Sequence, residues 1–474
     1  MGKAAGVDRR TALARAAEQL DSGVFLTDLA RRVELPTESA DPAREPVLRE
    51  YLTAEMVPLV ERLGFTARIV ENPVSPRHPF LVARRVEDPG LPTVLTYGHG
   101  DVQPAHPEQW RDGLDPWRVV VEGDRWYGRG VADNKGQHSV NLVALEQVLA
   151  VRDGRLGYNV TLLLDMGEEF GSPGLDEVCD QLRDELAADL LIGSDGPRVA
   201  ADRPTVFLGT RGAVNLTLSV RARAAAHHSG NWGGVLSNPA TVLANALASL
   251  VDGRGRLLVE GLRPDGVPEP VRRALVDVPL DQGPDAPAID PEWGEPGLTP
   301  GERLFGWNAL EVLAMTAGDP EAPVGAIPPS ARAHCQLRFV VGTDGGSVAD
   351  QVRAHLAAAG FGAVEVSQDL AMAATRLDPE DPWVAWTLAS LERTTGVRPA
   401  LLPNLGGSLP NGAFADVLGL PTVWVPHSYP GCAQHAPDEH LPIGLVRESL
   451  QVMAGLWWDL AELAPAWPPP SHPS

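Results

Sequence analysis

The chain has 474 residues, a length that allows two or three domains. Hydrophobic residues make up 44% of it and charged residues 21%, as in ordinary folded proteins, and its 48 glycines and 44 prolines stay below the share that signals low complexity. The formal net charge is −23 and no block of Lys or Arg occurs, which argues against a surface for nucleic acid or anionic lipid.

The sequence carries no predicted signal for export or membrane insertion. No apolar run follows residues 1–10, so we expect no signal peptide. No stretch approaches the ~18 apolar residues that a membrane-spanning helix needs. The three cysteines, Cys179, Cys335 and Cys432, form neither a disulfide framework nor a CxxC metal site. We therefore expect a cytoplasmic protein with reduced thiols and no membrane partner.

The first half of the chain has the pattern of an α/β layered domain. Helices are predicted over about 8–35 and 43–63, the second ending at Gly64, and a third over about 137–150. Short runs rich in Val, Leu and Ile alternate with such helical stretches. Four of these runs predict buried strands, at 93–97, 160–164, 190–192 and 422–425.

From Arg211 onward the pattern changes to strict alternation of apolar and polar residues. This alternation predicts half-exposed antiparallel strands over 214–220 and 331–340. Further predicted elements are a helix at about 239–252, a Pro-rich acidic surface loop at 264–300 and a helix at 347–359.

Together these elements predict an α/β protein with an inserted domain. The larger domain, with a mainly parallel central sheet flanked by helices, comprises 1–212 and 372–464. A smaller α+β domain, 213–371, is inserted between its two parts. Residues 465–474 (PAWPPPSHPS) are predicted to be a disordered tail.

Imidazole and carboxylate residues follow each of the four predicted buried strands. In chain order they are His99 and Asp101, then Asp165, Glu168 and Glu169, then Asp195, and, after a loop, His435 and Asp438. If the strands are parallel, their carboxyl ends meet at one edge of the sheet, where ligands bind in such folds. A single placement of this kind is typical of a surface turn, but four together indicate a shared site. Crowded carboxylates require a cation, and mixed imidazole and carboxylate ligands suit zinc, with manganese or cobalt as alternatives.

A glycine-rich segment at 126–136 precedes the predicted helix at 137–150. Read without context, Asp133 would be the N-cap of this helix. The segment lacks the third glycine of a dinucleotide-binding fingerprint, because Asp133 stands in its place. Lys135 is one of only two lysines in the chain, so it stands out where Arg otherwise dominates.

With these residues in view, the chain resembles the M20 family of metallopeptidases, and within it the carnosinase-like dipeptidase branch. The matching motifs occur in the family's order along nearly the whole chain. They are 98–104 (GHGDVQP), 127–136 (YGRGVADNKG), 167–172 (GEEFGS), 194–196 (SDG), 228–230 (HSG), 406–410 (GGSLP) and the loop that carries His435.

The resemblance implies a site for two divalent metal ions per chain. Asp133 would bridge them. His99 and Asp195 would complete one site, and Glu169 and His435 the other. A pair of ions held in this way activates a water and polarises the scissile carbonyl.

The resemblance also implies roles for residues that do not bind metal. Glu168 would be the general base toward the attacking water, and Asp101 would orient His99. His228, in the inserted domain, would reach the active site of a partner subunit and stabilise the oxyanion. The inserted domain would then serve as lid and dimerisation domain of a homodimer.

The family match further implies a subsite for the substrate's terminal carboxylate. Arg338 would bind this carboxylate, and the turn Gly406, Gly407 and Ser408 could hold the same anion through backbone N–H groups. The chain departs from many of its relatives just before this turn, where Asn404-Leu405 replaces a charged Arg-Glu pair. A charged contact to the substrate is therefore missing or moved.

We accordingly expect a hydrolase that cleaves the amide bond of dipeptides or small peptides with a free carboxylate. An N-acyl- or N-carbamoyl-amino-acid amidohydrolase is the main alternative, and a catalytically inactive metal-binding scaffold is a second. Serine chemistry is disfavoured because no G-x-S-x-G elbow occurs. Cys432, near His435, is interpreted as a bystander.

Overall fold

The structure is a computed structural model and is described over residues 8–278, 280, 288–369 and 371–463. Its α-helices are α1 (Arg9–Asp21), α2 (Val24–Val33), α3 (Glu45–Glu50), α4 (Val57–Arg62), α5 (Lys135–Val151), α6 (Leu175–Gln181), α7 (Arg183–Leu186), α8 (Ser229–Trp232), α9 (Pro239–Leu250), α10 (Glu269–Leu275), α11 (Pro300–Phe305), α12 (Val348–Ala358), α13 (Pro382–Thr395) and α14 (Ile443–Leu463). Its strands are β1 (Thr66–Val70), β2 (Phe80–Arg85), β3 (Thr93–His99), β4 (Val120–Glu122), β5 (Arg125–Tyr127), β6 (Asn159–Asp165), β7 (Leu190–Gly193), β8 (Thr205–Phe207), β9 (Gly212–Arg221), β10 (His227–His228), β11 (Ala309–Thr316), β12 (Ala326–Ile327), β13 (Ser330–Phe339), β14 (Glu365–Gln368), β15 (Ala400–Leu402), β16 (Thr422–Trp424) and β17 (His440–Pro442).

The larger sheet has eight strands in the spatial order β1-β2-β6-β3-β7-β16-β8-β15. Its central strands β6, β3, β7 and β16 run parallel, and β1 and β2 add an antiparallel edge. These central strands contain the four apolar runs, so the prediction of four buried parallel strands is confirmed.

Successive strand residues point to opposite sides of this sheet, and helices cover both sides. Val94 packs in an apolar cluster with residues of α5 and α14, whereas its neighbour Leu95 packs in a second cluster with residues of α6. The sheet is therefore a buried middle layer, and its loops at the carboxyl ends of the parallel strands are free to form a site.

A second, antiparallel sheet has the order β11-β13-β9-β14. One of its faces packs against α9 and α12, with Leu218 and Leu337 among the buried residues. The burial of β13 alternates along the strand, as the sequence pattern predicts. Strand β11 lies at the edge and is largely exposed. The α/β fold class with an additional α+β unit is thus confirmed.

Two predicted elements differ from those observed. The helix predicted over 8–35 is interrupted, because Gly23 has a φ of 76° that ends α1 and starts α2 in a new direction. The stretch 264–300 contains the helix α10, which Pro270 helps to start and which buries Val271 and Leu275. Residues 279 and 281–287 of this stretch lie outside the described residues, as does the tail predicted at 465–474.

The remaining helix predictions are confirmed with small shifts. The predicted helix over 43–63 consists of α3 and α4 joined by a π-helical turn, Tyr51–Met56. Helices α5, α9 and α12 match the other three predictions. No helix among the described residues combines the length and apolar character needed to cross a bilayer.

Candidate metal centre

The parallel strands bring the predicted imidazole and carboxylate residues to one edge of the larger sheet. His99 ends β3, Glu168 and Glu169 form a short helical turn after β6, and Asp195 lies two residues beyond β7. The close approach at β3 depends on glycine: a Cβ at position 100 would lie 2.5 Å from Cε1 of Tyr51. The loop after β16 adds His435.

The first group of candidate ligands consists of His99, Asp133 and Asp195. All three are buried. His99 Nε2 lies 3.2 Å from Asp133 Oδ1 and 3.5 Å from Asp195 Oδ2. Their ligand atoms lie within 4.8 Å of one another, a spacing that one cation could bridge.

The second group shares Asp133 and adds Glu169 and His435. His435 Nε2 lies 3.1 Å from Asp133 Oδ2 and 3.2 Å from Glu169 Oε2. The two carboxylate oxygens of Asp133 therefore face different groups. The His435 side chain is 56% exposed, so this group opens to solvent while the first does not.

Asp101 connects three residues of the centre. Its carboxylate lies 3.3 Å from His99 Nδ1, on the ring side opposite the first group. It also accepts hydrogen bonds from the backbone amides of Glu168 (3.1 Å) and Glu169 (3.0 Å). This buried carboxylate thus orients the imidazole and the loop that carries both glutamates.

Glu168 points toward the first group without belonging to either. Its Oε2 lies 3.8 Å from His99 Nε2. Burial, together with the charges of Asp195 and Glu169, raises the pKa of Glu168 well above its ordinary value. A carboxyl group with a raised pKa beside a polar cluster is suited to exchange a proton.

The electrostatics of the centre reflect an excess of acidic groups. Burial opposes protonation of His99, but the carboxylates of Asp195, Asp101 and Asp133 outweigh it and raise the pKa of this imidazole. Burial and the charge of Asp133 likewise raise the pKa of Glu169. The raised pKa values mean that these groups favour binding a proton. A divalent cation at the same position would supply that positive charge instead.

The residues present fit a metal site. Asp195 Oδ2 is buried and accepts no hydrogen bond from any described residue, although its other oxygen binds the amide of Gly196 at 2.6 Å. A buried carboxylate oxygen without a partner is costly unless a cation fills the position. Imidazole and carboxylate donors around it are the ligands that zinc and similar divalent ions take.

Glu439 is a residue of the centre that sequence reasoning missed. It is fully buried and pairs with Arg129 Nη1 at 2.8 Å. It also accepts hydrogen bonds from the backbone amides of Gly130, Ala132 and Asp133. In the sequence, Glu439 is recognisable only as an acidic residue four positions after His435. No spacing rule distinguishes such a residue from one at the surface.

The contacts of the Lys135 side chain serve to hold the fold together. Its buried ammonium donates to the carbonyl oxygens of Arg32 (2.9 Å) and Leu35 (2.7 Å) and lies over the Tyr51 ring. Asp133 is not the N-cap of α5, since Asn134 holds that position without a side-chain cap. The interpretation of Cys432 as a bystander agrees with its burial, which raises the pKa of the thiol to about 12.

His228 stands apart from the two groups. It ends the short strand β10, which pairs with β12, and it is exposed. Its Nδ1 accepts a hydrogen bond from the amide of Gly230. Among the described residues it contacts none of the candidate metal ligands of its own chain.

Arg338 and the turn 406–408 lie together, as predicted. Arg338 Nη1 donates to Ser408 Oγ at 2.7 Å. Asn404 and Leu405, which stand where the resemblance to many dipeptidases leads us to expect a charged pair, are both buried. Both side chains are uncharged, so neither can form an ion pair with a substrate.

Comparison with known proteins agrees with this geometry. Residues 95–459 match the model of Peptidase family M20/M25/M40. A cysteinylglycine-S-conjugate dipeptidase of Corynebacterium striatum is 31% identical over 333 residues, which are 67% of this chain and 70% of that protein. A Beta-Ala-His dipeptidase of Rattus norvegicus is 32% identical over 253 residues, so the match spans 50% of this chain and about half the length of that relative.

A solved structure extends the similarity to the whole fold. The M20 family metallo-carboxypeptidase Sso-CP2 from Sulfolobus solfataricus superposes with a TM-score of 0.76 at 25% identity, covering 93% of this chain and 99% of that one. The resemblance seen in the motifs is confirmed by the matched residues, and the chain belongs to peptidase family M20/M25/M40.

Proposed function

We propose that this protein is a dipeptidase that uses two divalent metal ions to hydrolyse the amide bond of dipeptides or small peptides with a free terminal carboxylate. The observation that carries the proposal is the pair of ligand groups that share Asp133, with Glu168 beside them. Relatives described as dipeptidases of Beta-Ala-His and of cysteinylglycine S-conjugates support this substrate class.

The ions are zinc in this proposal, with manganese or cobalt as alternatives. His99, Asp133 and Asp195 would hold one ion, and Asp133, Glu169 and His435 the other. When bound, such ions polarise the scissile carbonyl and make water acidic near neutral pH. Each ligand group leaves room for substrate or water, because it offers three protein ligands rather than a closed set of four.

In the proposed reaction, different residues of the chain transfer the proton, orient a metal ligand and bind the substrate. Glu168 takes a proton from the attacking water and delivers it to the departing amine. Asp101 holds the His99 ring so that Nε2 faces the first group. It also fixes the glutamate loop through the two hydrogen bonds that it accepts from the amides of Glu168 and Glu169. Arg338 and Ser408 face the substrate's carboxylate.

We further propose a homodimer in which the second sheet forms the contact. Strand β11 is an edge strand with exposed Val312, Leu313 and Met315, an unprotected apolar edge of the kind that pairs with a partner. His228, exposed and remote from its own chain's ligand groups, would serve the partner's active site and stabilise its oxyanion. Free, buried cysteines agree with a cytoplasmic location.

The second candidate function is hydrolysis of N-acyl or N-carbamoyl amino acids. The burial of Asn404 and Leu405, where many dipeptidases have a charged pair, favours it over strict dipeptide recognition. An inactive scaffold is disfavoured because Glu168 and all five proposed ligands are present and lie together.

A substrate panel tests the proposal. The purified protein is assayed against dipeptides, N-acyl amino acids and N-carbamoyl amino acids with added zinc or manganese. Hydrolysis of dipeptides at the highest kcat/KM supports the dipeptidase. Higher values for the acylated amino acids establish the alternative, and no turnover with any compound at full metal loading would refute both.

A further inference from the structure

Arg211 lies where the chain passes from the larger sheet into β9, and the structure fastens it to the turn that precedes Ser408. Its Nε donates to the carbonyl of Gly406 at 2.9 Å, and its own carbonyl accepts from Ser408 Oγ at 2.8 Å. Its amide donates to the carbonyl of Leu405 at 3.2 Å. The side chain is 8% exposed, so the guanidinium is held in a defined, nearly buried position.

Arg338 approaches the same turn from β13. Ser408 Oγ accepts from Arg338 Nη1 and donates to the Arg211 carbonyl, so one hydroxyl links both arginines. Within the described chain, no carboxylate lies within ion-pairing distance of either guanidinium. Arg211 Nη1 and Nη2 also donate to none of the described residues.

Two cations held together with no carboxylate at ion-pairing distance are unfavourable. Burial and the charge of Arg338 lower the pKa of Arg211 to about 10, and Glu311 only partly opposes this effect. Burial lowers the pKa of Arg338 as well. Like charges at a desolvated position require a counter-charge, and a carboxylate that accepts from both guanidiniums would supply it.

The turn that binds both arginines also packs on the loop that carries a candidate metal ligand. Leu405 packs against Gly196, where an added Cβ would lie 3.0 Å from Leu405 Cδ2. Gly196 follows Asp195, a candidate metal ligand. The turn that would present an anion to the two arginines therefore adjoins the loop of Asp195.

We propose that Arg211 is the second cation of the substrate's carboxylate subsite, so that Arg211 and Arg338 together select substrates with a free carboxylate next to the cleaved bond. This inference rests on the proposed hydrolysis and deepens it.

The test compares Arg211→Gln, Arg338→Gln and Arg211→Lys on a dipeptide and on the same dipeptide with an amidated C-terminus. We expect Arg211→Gln to raise KM for the free acid about tenfold or more and to change kcat/KM for the amide about twofold or less. Arg211→Lys should recover part of the loss. Arg155→Gln, which removes an exposed charge outside the second sheet and away from this turn, is the matched control and should leave both substrates unchanged.

Binding measured by calorimetry separates this inference from the proposed hydrolysis. An N-acetyl amino acid should bind the wild type more tightly than its amide, and Arg211→Gln should abolish the preference even if no compound is turned over. Equal losses for acid and amide in Arg211→Gln would assign Arg211 a purely structural role and overturn the inference, while leaving the dipeptidase activity intact. Absence of any acid preference in the wild type would overturn it too.

Discussion

Glu439 Oε1 accepts a hydrogen bond from the backbone amide of Asp133 at 3.0 Å, across a separation of 306 residues. The same carboxylate pairs with Arg129 and follows His435 by four positions. The buried carboxylate of Glu439 therefore fastens the loop that follows His435 to the backbone of Asp133, the residue that both ligand groups share.

Replacing this carboxylate should weaken metal binding as well as folding. Glu439→Gln leaves Arg129 buried without its counter-charge, so we expect a loss of about 3 kcal/mol in the free energy of unfolding. Because the loop that carries Asp133 loses its anchor, metal affinity should fall roughly 10–100-fold. Calorimetric metal titration and thermal denaturation measure the two effects.

The control for this variant is Glu122→Gln. Glu122 pairs with Arg111 at 2.9 Å on the surface, and such exposed pairs contribute under about 1 kcal/mol. Metal affinity equal to wild type in Glu439→Gln would contradict the anchoring role.

Glu168→Ala should separate catalysis from metal binding. Since Glu168 belongs to neither ligand group, we expect the variant to keep its metal content and to lose about 10²–10⁴-fold in kcat. Elemental analysis and steady-state assays check the two statements together. Full activity in this variant would show that another group takes the proton from water.

His435→Ala should reduce bound metal from about two ions to about one per chain. The side chain is more than half exposed, so its removal leaves the core intact and the first group, His99, Asp133 and Asp195, complete. Elemental analysis after dialysis gives the stoichiometry. Retention of two ions would mean that Glu169 and Asp133 suffice for the second site.

Mixing two inactive variants tests whether His228 acts across a subunit boundary. In a heterodimer of His228→Ala and Glu168→Ala subunits, one active site would contain both an intact Glu168 and the partner's intact His228. Random pairing should then restore about a quarter of wild-type activity. If activity does not recover although subunit exchange has been verified, the shared site is ruled out. Full activity of a monomer would rule it out as well.

Disruption of the proposed interface offers an independent check. Leu313→Arg places a charge on the exposed edge of β11, where we expect a second copy to pack. The variant should elute as a monomer, lose most of its activity and keep its metal content. A dimer of unchanged stability would place the contact elsewhere.

Much of the fold follows from local sequence patterns. The apolar runs around Val94 and Leu162 predict central strands, because a run of β-branched residues or leucines can be buried on both faces of a parallel sheet. The alternation around Leu337 predicts a strand with one buried face. The helix break at Gly23 was missed, since an isolated glycine in a periodic segment does not show whether φ is positive.

The candidate ligands His99, Glu169 and Asp195 could be proposed from local pattern, because each follows a strand and a parallel sheet brings strand ends together. Asp133 lies in the glycine-rich segment before α5 and was proposed as a ligand only through the family resemblance. Glu439 and Arg211 could be proposed in neither way, because their roles depend on which buried partners they meet: Arg129 in one case, Ser408 and Arg338 in the other.

By itself, the sequence determined the family, the sheet's central strands and the residues available for metal and proton transfer, because these are properties of local pattern and of motif order. Only the tertiary structure decided which charges lie beside one another and which lack a partner. Burial and pairing depend on packing between segments hundreds of residues apart, and no local pattern encodes those contacts.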